Sequence, residues 1–148
     1  MLPIPHYKQL GDYNCLPACA RMVLQYLNRD INEADLAVQL GATAMGTSGS
    51  RLLRLQSRTL DVFFGPFTLP LLYDTLDAGV PVIILVSTVF LDYRQDDFAH
   101  AVVVVGYTEQ HILVNDPDFD NAPQQVTPTG LLAAWGEFDF LAGTITKR

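Results

Sequence analysis

The sequence predicts an α+β fold in which N-terminal helices pack on a C-terminal antiparallel β-sheet. Helical patterns come first along the chain, and β-branched runs such as PVIILV and AVVVV cluster in the second half. Segregated helices and strands favour this class, whereas strict alternation would favour a parallel sheet. A length of 148 residues suits one ordinary domain, and the chain contains no repeat or interdomain linker. We therefore predict one domain over residues 1–148.

Two helices are predicted in the N-terminal part. The first, over residues 15–28, follows the polar loop QLGDYN and repeats apolar residues at helical spacing. Asn14 stands before it as an N-cap, because its side chain can accept from unpaired backbone N–H groups. The second helix, EADLAVQLGA, is capped by Asn32 and ended by Gly41.

Two more helices are predicted on either side of a short strand, DVFFGP. The earlier one, RLLRLQSRTL, is capped by Thr47 or Ser48. It follows the small-residue stretch GATAMGTSGS, which is polar enough to be a loop beside a site but which we interpret as a plain linker. Its three arginines, Arg51, Arg54 and Arg58, form a solvated stripe. The later helix is LPLLYDTLDAG, with proline in its first turn and glycine at its end.

The main sheet is predicted from three apolar runs, PVIILVSTV, FAHAVVVVGY and HILVND. The last two are separated only by TEQ, so they should pair as a hairpin. Because both faces of these strands are apolar, we expect a central sheet covered by helices. A turn-rich loop, NDPDFDNAPQQ, follows, and then a short helix, TPTGLLAAW, and a closing strand, FLAGTITK.

The composition restricts the partners and the location of the protein. A net charge of −7 argues against nucleic acid and anionic membranes, since both attract basic surfaces. The longest apolar runs are too short to span a bilayer, and MLPIPHYKQL does not have the pattern of a signal peptide. The two cysteines share one predicted helix, where a disulfide is geometrically poor, so we predict reduced thiols and a cytoplasmic protein.

Cys15 is the first candidate for chemistry, because it begins the first helix. The helix dipole and the unpaired N–H groups at this end favour a negative charge, which stabilises a thiolate. The thiolate, and not the thiol, is the nucleophile in cysteine catalysis. The alternative is that Cys15 is a small buried apolar residue, as most free cysteines are.

His100 and Asp116 are the second candidates, and the predicted hairpin connects them. His100 opens one strand and Asp116 closes the next, so both lie at the same end. A carboxylate there can hold the imidazole in one tautomer, and the imidazole can take the proton of Cys15. His111 lies at the turn end of the hairpin and His6 lies in the extended leader, so neither has this geometry.

A metal site is the alternative use of the acidic loop that contains Asp116. Asp118 and Asp120 follow in the stretch NDPDFD, where they are weaker partners for a histidine. The spacing of the acids is similar to that of a calcium loop, but the glycine and the terminal glutamate of an EF-hand are missing. We predict neither a metal nor another cofactor.

Three motifs of the chain resemble the double-glycine leader peptidases, papain-like cysteine peptidases that process bacteriocin leaders. The motifs are QLGDYNCLPAC, HAVVVVGY and ILVNDP, in the family's order. The resemblance implies a papain-like fold and a stand-alone peptidase. It also implies that Cys15 is the nucleophile, His100 the general base and acid, and Asp116 the orienting carboxylate. Gln9 would then donate its side-chain amide to the oxyanion.

The resemblance further implies cleavage after small residues, with a Gly-Gly bond as one candidate, in a leader peptide or small protein. The sequence departs from the family at Leu16, where the family usually has glycine, and the larger side chain could narrow the approach to the site. Two alternatives remain open: a transferase or deamidase that uses the same triad, or a non-catalytic peptide-binding module. The latter requires His100 to lie far from Cys15. The sequence does not predict an oligomeric state.

Overall fold

A computed structural model describes all 148 residues, and it consists of one antiparallel sheet with helices on both faces. The helical elements are α1 (Cys15–Tyr26), α2 (Glu33–Leu40), a first 3₁₀ helix (Gly49–Leu55), α3 (Leu69–Asp77), a second 3₁₀ helix (Thr88–Phe90) and α4 (Pro128–Gly136). The strands are β1 (Leu60–Pro66), β2 (Val82–Ser87), β3 (Ala99–Tyr107), β4 (Ile112–Asn115), β5 (Gln124–Val126) and β6 (Leu141–Lys147).

The six strands lie in the order β1-β6-β2-β3-β4-β5, and every neighbouring pair is antiparallel. The predicted α+β class is therefore confirmed. The predicted hairpin is also present, because β3 pairs with β4 from Val103 opposite Asn115 to Tyr107 opposite Ile112. No helix has the length and hydropathy needed to cross a membrane.

The sheet has an apolar core on each face, as the continuous apolar strands predict. Alternate residues of a strand point to opposite faces. Ile83 and Val103 accordingly pack in the core beneath α1, α2 and the first 3₁₀ helix. Val82 and Val104 pack in the other core, together with Trp135 of α4 and residues of α3. This double cover fixes the sheet from both sides, so that the strand ends that carry polar residues are held in place.

The caps of the first two helices differ from each other. Asn32 accepts from the N–H of Asp35 at 2.8 Å, and Gly41 ends α2 with a φ of 69°, as predicted. Asn14 occupies the N-cap position of α1, but its side chain makes no capping bond. The Asn14 amide instead donates to Glu33 of α2 at 3.2 Å. The expectation of a side-chain cap at Asn14 is therefore wrong: its Nδ2 is bonded to Glu33, and its side-chain oxygen accepts from no N–H of the helix.

Two further elements differ from the sequence prediction. The predicted third α-helix is a 3₁₀ helix that ends at Leu55, and Ser48 before it makes no capping bond. With three residues per turn, a 3₁₀ helix places Leu52 and Leu55 on one buried face. The hydroxyl of Ser57 then accepts from backbone N–H groups and forms a turn into β1. Strand β5 was not predicted; it pairs with β4 and buries Val126.

Candidate active site

Cys15 is the first residue of α1 and lies at the edge of the sheet, partly exposed and with a free thiol. Its position at the helix N-terminus places the sulfur beside backbone N–H groups that have no partner within the helix. Cys19, one turn later, is fully buried and its thiol donates to the carbonyl of Ala101 at 3.4 Å. Burial raises the pKa of the Cys19 thiol, so this second cysteine stays neutral.

His100 and Asp116 meet at the open end of the β3–β4 hairpin. His100 is near the start of β3 and Asp116 follows the last residue of β4, so the antiparallel register brings the two side chains together. The His100 Nε2 lies 2.7 Å from the Asp116 Oδ1, and both residues are buried. This bond leaves the other ring nitrogen, Nδ1, for a partner on the opposite side of the ring.

The pKa values of the pair are shifted in opposite directions. Burial alone would lower the pKa of His100, but hydrogen bonds with Asp116 and Cys15, and the charges of both groups, raise it to about 9. Cys15 and His100 line the same two clefts, so the thiol is a close neighbour of the imidazole. Burial would raise the pKa of Asp116, but the hydrogen bond and charge of His100 and the hydroxyl of Tyr93 lower it to about 2. A protonated imidazole bonded to the ionised Asp116 carboxylate is the state that this geometry favours at neutral pH.

Gln9 lies on the wall of the same cleft as Cys15, in the loop that leads into α1. Its backbone N–H donates to the carbonyl of Pro117 at 2.7 Å. Its side-chain Nε2 donates to the carbonyls of Gly11 at 2.8 Å and Asp12 at 3.2 Å, and its Oε1 is buried without a partner. The predicted oxyanion donor is therefore adjacent to the site, but its N–H groups are bonded to the loop in this state.

Glu33 organises that loop, and the sequence did not predict this. The carboxylate is only 2% exposed and accepts from the N–H of Leu10 at 2.9 Å and the N–H of Gly11 at 3.1 Å, in addition to the Asn14 amide. In the sequence, Glu33 is an ordinary acidic residue in the first turn of a helix, where its negative charge interacts favourably with the helix dipole. Nothing in its local pattern indicates that it holds a loop more than twenty residues away.

Arg94 and Tyr93 hold Asp116 from the side opposite His100. The Tyr93 hydroxyl donates to the Asp116 Oδ2 at 2.6 Å, and the Arg94 Nη1 donates to the same oxygen at 2.8 Å. The other guanidinium nitrogens of Arg94 pair with Asp96 and Asp118. In the sequence, the only sign of this role of Arg94 is its position among acidic residues just before the strand that carries His100.

A metal is the alternative explanation for this acidic cluster. Ligand atoms of His100, Asp116 and Asp118 lie within 4.8 Å of one another. However, the Arg94 guanidinium already forms ion pairs with both carboxylates, at 2.8 Å and 3.0 Å. A metal would have to displace this cation, so we assign the cluster to ion pairing.

Two clefts meet at Cys15 and His100, which line both. The first has a volume of about 210 Å³ and the second a volume of about 390 Å³. The first cleft is lined mainly by small and apolar residues, which include Leu16, Gly49, Leu85, Ala101 and Phe138. The second cleft is more polar and includes Gln9, Asp12, Tyr13, Phe98 and Asp118. A chain that crosses both clefts passes over the thiol.

Close packing surrounds Gly49 in the wall of the first cleft. A Cβ on Gly49 would lie 2.8 Å from side-chain atoms of Leu85 and Phe64, so only glycine fits this position. Leu16, which was expected to narrow the approach, is 1% exposed and packs into the core beneath α1. It contributes to the lining of the first cleft and does not protrude across it.

The structure brings together all four residues that the sequence selected, with Gln9 turned towards its loop. A cysteine at a helix N-terminus, facing a histidine and an aspartate on an antiparallel sheet, is the arrangement of a papain-like fold. His111 lies at the turn of the hairpin, as expected. The non-catalytic alternative required His100 to lie far from Cys15, but the two residues line the same two clefts.

The chain belongs to the family described as the Peptidase_C39 like family, whose model matches residues 1–142. The predicted relationship to double-glycine leader peptidases is confirmed at this level. No curated protein sequence gives a significant match.

Three solved structures share the fold. A protein described as a C39-like peptidase from Bacillus anthracis has a TM-score of 0.79 and 19% identity, covering 99% of this chain and 96% of its own. The peptidase domain of Streptococcus ComA, a bi-functional ABC transporter involved in a quorum sensing pathway, has a TM-score of 0.79 and 17% identity, covering 97% and 98%. A double glycine motif protease from an AMS/PCAT transporter, in complex with the leader peptide, has a TM-score of 0.69 and 17% identity, covering 99% and 94%.

Proposed function

We propose that this protein is a cysteine peptidase that cleaves a peptide or small protein after a small residue, with Gly-Gly bonds as the first candidates. The observation that carries the proposal is the convergence of Cys15 with the His100–Asp116 pair where two clefts meet. Membership of a peptidase family supports the reaction class. Because the nucleophile must remain a reduced thiol, we place the protein in a reducing compartment such as the cytoplasm.

In the first step, the Cys15 thiolate attacks the carbonyl carbon of the scissile bond while His100 carries the proton. A C–S bond forms and the carbonyl oxygen becomes an oxyanion. The backbone N–H of Cys15 and the side-chain amide of Gln9 would donate to it, and such a donor is typically worth about 3 kcal/mol in the transition state. Gln9 must first exchange its bond to Gly11 or Asp12 for this new acceptor.

The intermediate then collapses as the C–N bond breaks. His100 transfers its proton to the leaving amine, and the acyl group remains on Cys15 as a thioester. Water then attacks the thioester carbonyl and gives its proton to His100. The C–S bond breaks as the Cys15 thiolate leaves, which releases the carboxylic acid and restores the thiolate beside a protonated His100. Asp116 holds the imidazole in one orientation through both steps, since its Oδ1 bonds Nε2 at 2.7 Å.

The shape of the first cleft supports a preference for small residues. Its walls beside the thiol are formed by Gly49, Ala99 and Ala101, and its volume is about 210 Å³. Gly49 itself has no room for a side chain, because a Cβ there would lie 2.8 Å from side-chain atoms of Leu85 and Phe64. That a protease of this fold was solved with a leader peptide supports a peptide as the partner.

The experiment treats the native protein with iodoacetamide and maps both cysteines by mass spectrometry. We expect rapid labelling of Cys15 and none of Cys19, which is buried and serves as an internal control. Equal labelling of both thiols, or labelling of neither, would contradict the proposal.

A second measurement addresses the reaction itself with matched peptides that contain Gly-Gly, Ala-Ala or Leu-Leu at their centre. We expect cleavage of the first, slower cleavage of the second and none of the third, and no cleavage by Cys15→Ala. Mass spectrometry also separates hydrolysis from the alternatives, because a deamidase or transferase leaves the chain uncut. Uncut peptides with modified side chains would contradict the peptidase proposal and support a deamidase or transferase.

A further inference from the structure

We infer that Arg94 is a positioning residue for the His100–Asp116 pair and that its charge sets the pH range over which Cys15 reacts. This inference rests on the proposed function of Cys15 as a nucleophile. Arg94 contacts neither the thiol nor the clefts, since it is absent from their lining. It would act through Asp116, and no other cation bonds that carboxylate except His100 itself.

The guanidinium of Arg94 is held by three carboxylates in a nearly closed environment. It donates from Nη1 to Asp116 at 2.8 Å and from Nη2 to Asp118 at 3.0 Å. It also donates from Nε and Nη2 to Asp96, at 2.7 Å and 2.6 Å, in a bidentate pair. Only 5% of the side chain is exposed. Bidentate pairs of this kind fix the orientation of both partners.

Two aromatic rings restrict the guanidinium further. Its central carbon lies 4.8 Å from the centre of the Phe98 ring and 5.3 Å from that of Phe119. Phe98 in turn packs edge-on against the His100 ring, with 5.7 Å between the ring centres, and lines the second cleft. Arg94 is therefore connected to His100 through two side chains that contact both residues, the Asp116 carboxylate and the Phe98 ring.

Asp116 uses all of its acceptor capacity in this arrangement. Its Oδ1 accepts from His100 and from the N–H of Asp118 at 2.9 Å, and its Oδ2 accepts from Tyr93 and Arg94. The carboxylate cannot rotate without breaking several bonds at once. If Arg94 is removed, one oxygen of a fully buried carboxylate loses its charged donor, and the Asp118 carboxylate keeps only His100, 3.5 Å away, as a counter-ion.

The charges around the pair determine the direction of the expected effect. The groups that face His100 and Asp116 are Asp96, Asp118, Tyr93 and Arg94, with Cys15 and the neutral Cys19 on α1. Three carboxylates are opposed by Arg94 and by protonated His100. Removing Arg94 makes the cluster more negative, which stabilises the imidazolium and disfavours a thiolate nearby. Both changes move the reactive range of Cys15 to higher pH.

The alternative is that Arg94 only anchors the loop between β2 and β3. In that case, replacing it lowers stability but leaves the pH dependence of Cys15 unchanged. The two roles are therefore separated by a pH profile and not by a loss of activity.

The experiment measures the rate of Cys15 alkylation by iodoacetamide as a function of pH in the full chain. Arg94→Met removes the charge and retains most of the stem, whereas Arg94→Lys retains the charge. Arg148→Met is the matched control, because Arg148 forms an exposed ion pair with Asp61 at 2.7 Å and lies outside the clefts.

We expect the midpoint of Cys15 alkylation to rise by about one pH unit in Arg94→Met, as for a lost charge near a titrating group. Below the midpoint this corresponds to alkylation that is about tenfold slower. Arg94→Lys should recover most of the wild-type midpoint, and Arg148→Met should not change it. An unchanged midpoint in folded Arg94→Met would overturn the inference.

A second variant keeps the inference testable if Arg94→Met does not fold. Arg94→Gln removes the charge but keeps an amide that can donate to the carboxylates, so it should raise the midpoint as Arg94→Met does. The absence of that shift would also contradict the inference.

NMR titration of His100 in these variants does not depend on the reactivity of Cys15. A wild-type Cys15 that reacts like an ordinary thiol would refute the proposed peptidase, whereas an unshifted His100 would refute the role of Arg94.

Discussion

Two carboxylates are buried at the two sides of the candidate site, and they are stabilised in different ways. Glu33 lies behind the loop that precedes Cys15 and accepts only from neutral donors, two backbone N–H groups and one amide. Asp116 lies behind His100 and accepts from an imidazole, a guanidinium and a hydroxyl. The neutral donors of Glu33 fix the conformation of the loop. The charged donors of Asp116 fix its orientation and also favour the protonated form of His100.

This difference indicates a division of work across the site. The Glu33 side positions the Gln9–Asn14 loop, which would supply the oxyanion donor. The Asp116 side controls the orientation and charge of His100. If the division is correct, changes at Glu33 should alter rates without moving the pH profile, and changes at Asp116 should alter both.

The largest effect is expected for Asp116→Asn. The amide places an N–H group among the donors of Tyr93, Arg94 and His100, so the imidazole loses its orientation and Arg94 loses a buried counter-ion. We expect peptide cleavage to fall by about 10⁴-fold, as in other triads. Breaking a buried pair also costs about 3–5 kcal/mol of unfolding free energy. Steady-state kinetics and urea unfolding measure the two losses.

The control for that change is Asp120→Asn, since Asp120 is 83% exposed and forms only a 3.8 Å ion pair with Lys8. Its effect should be below the error of both measurements. Equal losses in the two variants would show that the Asp116 side has no special role.

The pH dependence of stability provides the next test. The pKa of His100 is raised to about 9, so its contribution is fully present below the unfolded value of 6.5 and is lost as pH rises through about 9. At 1.36 kcal/mol per pKa unit this amounts to roughly 3 kcal/mol. The pKa of Asp116 is lowered to about 2, so its contribution is present above 3.8 and is lost as pH falls through about 2.

Urea unfolding from acidic to alkaline pH should therefore give the highest stability between these two ranges. The alkaline decline should shrink in Asp116→Asn, because the larger of the two influences that raise the pKa of His100 is removed, and it should persist unchanged in Glu33→Gln. A decline that is the same in both variants would contradict the comparison between the two carboxylates.

A smaller effect is expected for Glu33→Gln. The amide oxygen can still accept from the loop, but it carries no charge, and hydrogen bonds to charged groups are worth about 1.5–3 kcal/mol. We expect a loss of about 2 kcal/mol of unfolding free energy and slower peptide cleavage, with an unchanged pH midpoint of Cys15 alkylation. Asp35→Asn, an exposed acid on the same helix, is the control. A shifted alkylation midpoint in Glu33→Gln would contradict the expectation that only the Asp116 side of the site controls the pH dependence.

The contacts that the sequence predicted well are those with a periodic or local cause. The β3–β4 hairpin follows from two apolar runs and a short turn, and its register alone brings His100 to Asp116. The position of Cys15 follows from a helix start. Their catalytic roles remain predictions.

The contacts that the sequence did not predict are those between a side chain and a distant loop. Glu33 and Arg94 lie in segments whose local pattern indicates only a helix start and a polar connection. Their partners are chosen by burial, because a charged group that is removed from water must find donors or counter-ions wherever the fold places them. The orientation of the Gln9 amide has the same origin, because two loop carbonyls are nearer to it than any substrate-side acceptor.

The bond from the Gln9 N–H to the Pro117 carbonyl, at 2.7 Å, joins the residue that would serve the oxyanion to the residue that follows Asp116. This hydrogen bond must break whenever the N-terminal segment separates from the end of the sheet. The hydrogen–deuterium exchange rate of this one amide therefore reports whether the two halves of the site are assembled. It does so in the resting protein, before any substrate is known.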